Sequence, residues 1–175
     1  SLRTHVQDPV ALRSVLRLLH AVISGSFALA FLTTNCGPSF SPRDLDIYVP
    51  RGYARRMANY LSTHEGYSRL LYQTQHYGDN PAMHSIHYLG NGQQRVDIIE
   101  SSNHSALSPL PNFWASHVIN YLSADSYCIS YPTFTLRHHA LLSAIQLVQL
   151  RYPSPKTTDL MHKYSARGYT FSLAP

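Results

Sequence analysis

Acid is scarce in this 175-residue chain, with nine Asp and Glu against fourteen Lys and Arg. Cysteine is scarcer still: Cys36 and Cys128 lie far apart and outside any metal-ligand spacing. That excludes a thiolate zinc site and a multi-disulfide framework, and sets a reduced intracellular, cytoplasmic compartment as the expectation. No apolar run approaches the roughly 20 residues of a membrane helix. No signal-peptide pattern opens the chain, so a membrane partner is not expected. Lysine is nearly missing, because twelve of the fourteen basic residues are Arg. Internal repeats and low-complexity tracts are absent. What remains is ordinary globular sequence: 44% of the residues are hydrophobic, enough to build a core in one domain of this length.

The formal charge of +5 is unevenly distributed. Three of the nine acids, Asp44, Asp46 and Asp97, fall inside two short apolar segments, and without them the imbalance toward Arg deepens. A guanidinium grips phosphate through paired hydrogen bonds, so the balance has two readings: a solvated basic surface, or a polyanionic partner such as a nucleoside triphosphate or RNA.

Hydrophobic periodicity orders the elements. Residues 9 to 20 carry apolar side chains at helical spacing after Asp8, with Pro9 suited to the first helical position. Residues 21 to 23 form a short strand that breaks at Gly25 into a helix from Ser26 to Leu32. The turn-rich stretch 33 to 43 is a loop. Asp44 to Val49 is a strand stopped by Pro50, and residues 51 to 64 a helix ending near Gly66. Tyr67 to Tyr77 reads as one strand. His84 to Leu89 and Gln94 to Glu100 flank Gly90-Asn91-Gly92, a hairpin signal.

Beyond residue 101 a Ser- and Pro-containing linker leads to an amphipathic stretch, Phe113 to Ser123, and a short extended piece, Tyr127 to Tyr131. Residues 135 to 150 show the strongest helical periodicity in the chain, and a last helix is expected from Thr157 to Ser165. The expected fold class is therefore α+β: a mixed sheet with helices packed on it over residues 1 to 102, and a helical C-terminal extension over 103 to 175.

Alternation along a strand puts Asp44 and Asp46 on one face, with Leu45 and Ile47 on the other. Their Cα atoms then lie roughly 6.6 Å apart, from about 3.3 Å of rise per residue. That spacing lets both lean toward one ion or bridge two ions about 4 Å apart, with Asp97 as the third carboxylate. Oxygen-only ligation suits Mg²⁺ or Mn²⁺ and not zinc. Upstream, Gly25-Ser26 ends a strand and opens a helix, which aims free backbone N–H groups at an anion. Arg55 and Arg56, on the helix after the Asp-x-Asp strand, are further phosphate-binding candidates, with a solvated helix face as the plainer alternative.

Ile23-Ser24-Gly25-Ser26, then Asp44-Leu45-Asp46-Ile47, then Val96-Asp97-Ile98 resembles the nucleotidyltransferase superfamily, whose fold is shared with DNA polymerase beta. The resemblance covers roughly residues 9 to 100. It implies that Gly25 and Ser26 hold the triphosphate of a nucleotide. It also implies that Asp44 and Asp46 bind two metal ions, and that Asp97 completes the cage and helps activate an acceptor hydroxyl. The reaction implied is transfer of a nucleoside monophosphate to RNA, a protein or a small molecule, with release of pyrophosphate. Seventeen residues separate Ser26 from Asp44, a longer interval than most members show, and the excess lies in the loop 33 to 43.

Other readings compete. One is a member of the same fold that binds nucleotide or RNA without catalysis. A metal-dependent glycosyltransferase also uses Asp-x-Asp, but has no use for the Gly-Ser turn. Asp97 has a structural alternative as the same-face partner of Arg95, compatible with metal binding. His84 and His87 are three apart on a strand and face opposite sides, which rules out a shared zinc ion; His138 and His139 diverge on a helix.

Overall fold

The computed structural model describes residues 1–71, 80–144 and 154–174. In chain order the elements are α1 (Pro9–Leu18), β1 (Val22–Ser24), α2 (Gly25–Leu32), β2 (Asp44–Val49), α3 (Ala54–His64), β3 (Ser68–Arg69), β4 (Met83–Gly90) and β5 (Arg95–Ser101). They continue with β6 (Asn120–Leu122), β7 (Tyr127–Ile129), α4 (Pro132–Thr135), β8 (His139–Leu141), α5 (Pro155–Ser165) and β9 (Thr170–Ser172). The fold is α+β. Seven strands form one mixed sheet in the order β3-β4-β5-β2-β1-β6-β7, and β8 and β9 pair separately. Within the large sheet β2 and β5 run parallel, while the other pairs are antiparallel.

Local chemistry accounts for the helix starts. Asp8 caps α1 by accepting hydrogen bonds from the Val10 and Ala11 N–H groups, ahead of Pro9. Ser154 caps α5 in the same way from Thr157 N–H, ahead of Pro155. Leu12 and Leu16 of α1 and Met57 and Leu61 of α3 are buried against Leu45, Ile47, Val96 and Ile98. Each such side chain contributes about 1.5–3 kcal/mol when fully buried. The helices α1 and α3 therefore cover one face of the sheet. The β4–β5 hairpin turns at Asn91, whose side chain accepts from Gln94 N–H at 2.8 Å, with Gly92 at φ +87°.

The chain after residue 102 is less helical than its periodicity suggests. β6 and β7 extend the large sheet, and β6 pairs with β1 through Ile23 and Leu122. The segment expected as a helix over 135 to 150 is, in its described part, something else. α4 ends at Thr135, His138 adopts φ +55°, and residues 139–141 form β8 beside β9. Pairing with Thr170–Ser172 captures the backbone that local periodicity assigned to a helix; residues 145–150 lie outside the described residues. Of the strand expected over Tyr67 to Tyr77, Ser68–Arg69 is present and residues 72–79 lie outside the described set. Among the described residues no helix is long and apolar enough to cross a membrane.

Candidate metal centre

The sheet register assembles the site. Ser24 faces Asp46, Asp46 faces Asp97, and Asp97 faces Tyr88, so four neighbouring strands place these residues in one row. Asp44 stands one step along, opposite Arg95. Asp44, Asp46 and Asp97 each offer a carboxylate oxygen within 4.8 Å of the others. Asp46 and Asp97 are buried, at 8% and 1% exposure, and Asp44 is half-buried. The strand alternation expected for Asp44 and Asp46 is thus observed, and Asp97 joins them.

Such convergence is costly without positive charge. Two carboxylates about 4 Å apart repel by roughly 4 kcal/mol at an effective dielectric near 20. Part of the compensation comes from Arg95, whose Nε donates to Asp97 Oδ1 and whose Nη2 donates to Oδ2, both at 2.6 Å. The guanidinium lies 4.8 Å from the centre of the Tyr88 ring. The ion pair and the carboxylate cluster coexist. The three-oxygen donor set fits a hard metal cation.

Gly25 opens α2 at φ +66°, a conformation other residues resist. A Cβ at this position would overlap Asp46 Oδ2. Glycine is therefore required twice, for the turn and for the close approach of the carboxylate. Ser26 is buried and its hydroxyl reaches Asp44 Oδ1 at 3.4 Å. The Gly-Ser turn thus lies against Asp44 and Asp46. The Ser24 hydroxyl donates to the Asn120 carbonyl at 2.5 Å, tying the end of β1 to β6.

Arg55 and Arg56 are not brought to it. Both are exposed on α3, and α3 packs on the face built by Leu45, Ile47, Val96 and Ile98. The alternation that directs the aspartates to one side of the sheet sends this helix to the other. Besides Arg95, a cation in the field of Asp44 and Asp46 is Lys163 of α5. Desolvation, then Arg167, push the Lys163 ammonium below its usual range, while Asp44 and Asp46 pull it back up. Arg167 lies 4.8 Å from the centre of the Tyr164 ring and 4.0 Å from that of Phe40. Tyr48, buried beside the cluster, has its hydroxyl held well above the ordinary range by desolvation and by the charges of Asp46 and Asp97. The sequence placed α5 correctly, but no local pattern links Lys163 to Asp44.

Among the described residues the histidines form no metal site with these aspartates. His139 instead bonds Thr170 Oγ1 at 2.9 Å and Ser172 Oγ at 2.8 Å across β8 and β9.

No known family profile matches the chain, and no curated protein matches it. A solved structure described as a tRNA-processing enzyme in an apo form is similar to it, with a TM-score of 0.60 and 13% sequence identity. The match covers 96% of this chain and 45% of the other, so the chain spans less than half the length of that protein. At this identity the likeness concerns the fold. The mixed sheet that carries the three aspartates is an architecture found in an enzyme of tRNA processing.

Proposed function

We propose that this chain is a metal-dependent nucleotidyltransferase that moves a nucleoside monophosphate from a nucleoside triphosphate to an acceptor hydroxyl, with RNA as the favoured acceptor. One observation carries the reading: Asp46 and Asp97 stand in register beneath Gly25, with Asp44 close enough to share an ion. The resemblance of the three motifs to the nucleotidyltransferase superfamily supports it. The excess of Arg and the tRNA-processing neighbour favour RNA.

Asp44, Asp46 and Asp97 would hold Mg²⁺ or Mn²⁺. Bound there, the ion supplies charge neutralisation for the phosphoryl group and orients it for in-line displacement. Gly25 and Ser26 bind the triphosphate, through free N–H groups at the start of α2 and the Ser26 hydroxyl. The acceptor oxygen bonds to the α-phosphorus as the bond to the bridging oxygen of pyrophosphate breaks. Asp97 takes up the hydroxyl proton. Catalysis is mostly positioning and electrostatics.

A second reading has its own support. Arg95 engages both oxygens of Asp97, as would suit a domain that binds nucleotide or RNA without transferring anything. Incubation with α-labelled triphosphates, Mg²⁺ or Mn²⁺ and a tRNA transcript separates the two. Label incorporated into RNA with stoichiometric pyrophosphate supports transfer. Binding of triphosphate without pyrophosphate release, under single-turnover conditions and with each acceptor class, overturns it.

A further inference from the structure

The Arg95–Asp97 pair is built differently from an ordinary surface ion pair. Asp97 is 1% exposed, and the Arg95 side chain 30%. Both carboxylate oxygens accept from the guanidinium at 2.6 Å, and the aromatic face of Tyr88 lies beside that guanidinium at 4.8 Å. Arg95 is also the cross-strand partner of Asp44. Its positive charge therefore lies among the same carboxylates that offer oxygens to an ion. One cluster of three carboxylates has two claimants, a fixed monovalent cation carried by the chain and a free divalent one.

We propose that Arg95 is the resident counter-cation of this cluster, and that a divalent cation binds by displacing its guanidinium from Asp97. The inference rests on the metal reading above. A charge-assisted fork of this geometry stabilises the metal-free arrangement, since it relieves repulsion among Asp44, Asp46 and Asp97 and satisfies a buried carboxylate. That stabilisation has to be overcome before Asp97 can ligate, so Arg95 lowers the affinity of the site for the free ion. Arg95 is a positioning residue: it acts through Asp97 and touches no reacting atom.

A purely structural role predicts the opposite sign. If Arg95 only holds Asp97 in its ligating rotamer, removing it loosens the site and weakens metal binding. The test is a titration of the intact chain with Mn²⁺ alone, read by the EPR signal of free Mn²⁺, for the unmodified protein, Arg95→Gln and Arg95→Lys. Displacement predicts that Arg95→Gln binds Mn²⁺ roughly tenfold more tightly, the equivalent of one charge-assisted hydrogen bond. Arg95→Lys, which keeps the charge, stays near the unmodified protein. Unchanged or weaker binding by Arg95→Gln overturns the inference while leaving the metal reading intact. Absence of Mn²⁺ binding by every variant, including the unmodified protein, overturns both.

The unmodified protein provides a measurement independent of variant folding. The Arg95 Nε–H resonance, followed in ¹⁵N-labelled protein, is expected to shift on Mg²⁺ addition as its carboxylate partner is lost. A resonance that stays in place at saturating Mg²⁺ overturns the displacement.

Discussion

Asp46 and Asp97 are direct register partners across the parallel pair β2 and β5, and both are buried on the same face of the sheet. In parallel strands such partners point the same way, so the pairing itself forces two like charges together. An Asp46→Asn substitution keeps the shape and removes one charge. The apo protein should then melt within a few degrees of the unmodified one. Mg²⁺ at a hundred times its dissociation constant should stabilise the unmodified protein by about 2.7 kcal/mol and the variant by almost nothing. Nucleotidyl transfer should fall by roughly 10³-fold or more, the scale expected when transition-state charge loses its counter-charge. Thermal melts with and without Mg²⁺, alongside the incorporation assay, check both. A variant that keeps its Mg²⁺-dependent shift would remove Asp46 from the site.

How much of this site is legible in the sequence depends on where the information lies. Asp44-Leu45-Asp46-Ile47 declares its two faces through period-two alternation, because a strand offers no other arrangement. Gly25 declares its turn because few other residues accept positive φ. Arg55 and Arg56 mislead for a related reason: nearness in the chain says nothing about which face of the sheet a following helix covers. Lys163 is invisible from sequence, since its relation to Asp44 and Asp46 exists only once Tyr164 of α5 has joined Leu29 of α2 in one apolar cluster. The segment 135 to 150 fails differently. Its apolar spacing is helical, yet His139–Leu141 pairs with Thr170–Ser172, a partner no local pattern announces. The same holds for β6, whose partner β1 lies about a hundred residues away in sequence.

Gly25→Ala should damage both the fold and the site, and a control separates the two effects. Positive φ on a non-glycine residue costs of order 1–3 kcal/mol. Gly52 shares that backbone conformation at φ +87°, but a Cβ there meets nothing within 4 Å. At Gly25 the added Cβ overlaps Asp46 Oδ2, so the carboxylate must rotate away. Urea denaturation should therefore show Gly52→Ala and Gly25→Ala both destabilised, with Gly25→Ala the worse. Mn²⁺ affinity should drop only in Gly25→Ala. Equal Mn²⁺ affinity in the two variants would detach the turn from the metal centre.

His117 sets the acid limit of the C-terminal part of the fold. It is 0% exposed, enclosed by Trp114, Tyr164, Tyr169 and Phe171, with ring centres between 4.5 and 5.6 Å from its own. Neither ring nitrogen has a hydrogen-bond partner among the described residues. Desolvation, with a smaller contribution from Arg167, pushes its imidazole down to about 3, from an ordinary value of 6.5. An unfolded chain takes up this proton below pH 6.5, while the folded chain refuses it until about pH 3. The contribution of His117 to stability is thus complete above pH 6.5 and is lost as pH falls, by at most roughly 1.4 kcal/mol per pH unit. His117→Phe removes the titrating group and two unsatisfied nitrogens while keeping an aromatic ring against its neighbours. Stability at neutral pH should hold or rise, because each unsatisfied buried polar atom costs about 1–3 kcal/mol. Between pH 6.5 and 4 the stability of His117→Phe should decline less steeply, with His5 and His87, both also pushed down chiefly by burial, and the lowered carboxyls of Glu100 and Asp125 contributing to the slope that remains. Urea denaturation across that range measures the difference, and parallel slopes in the two proteins would show that His117 takes up its proton without unfolding the domain.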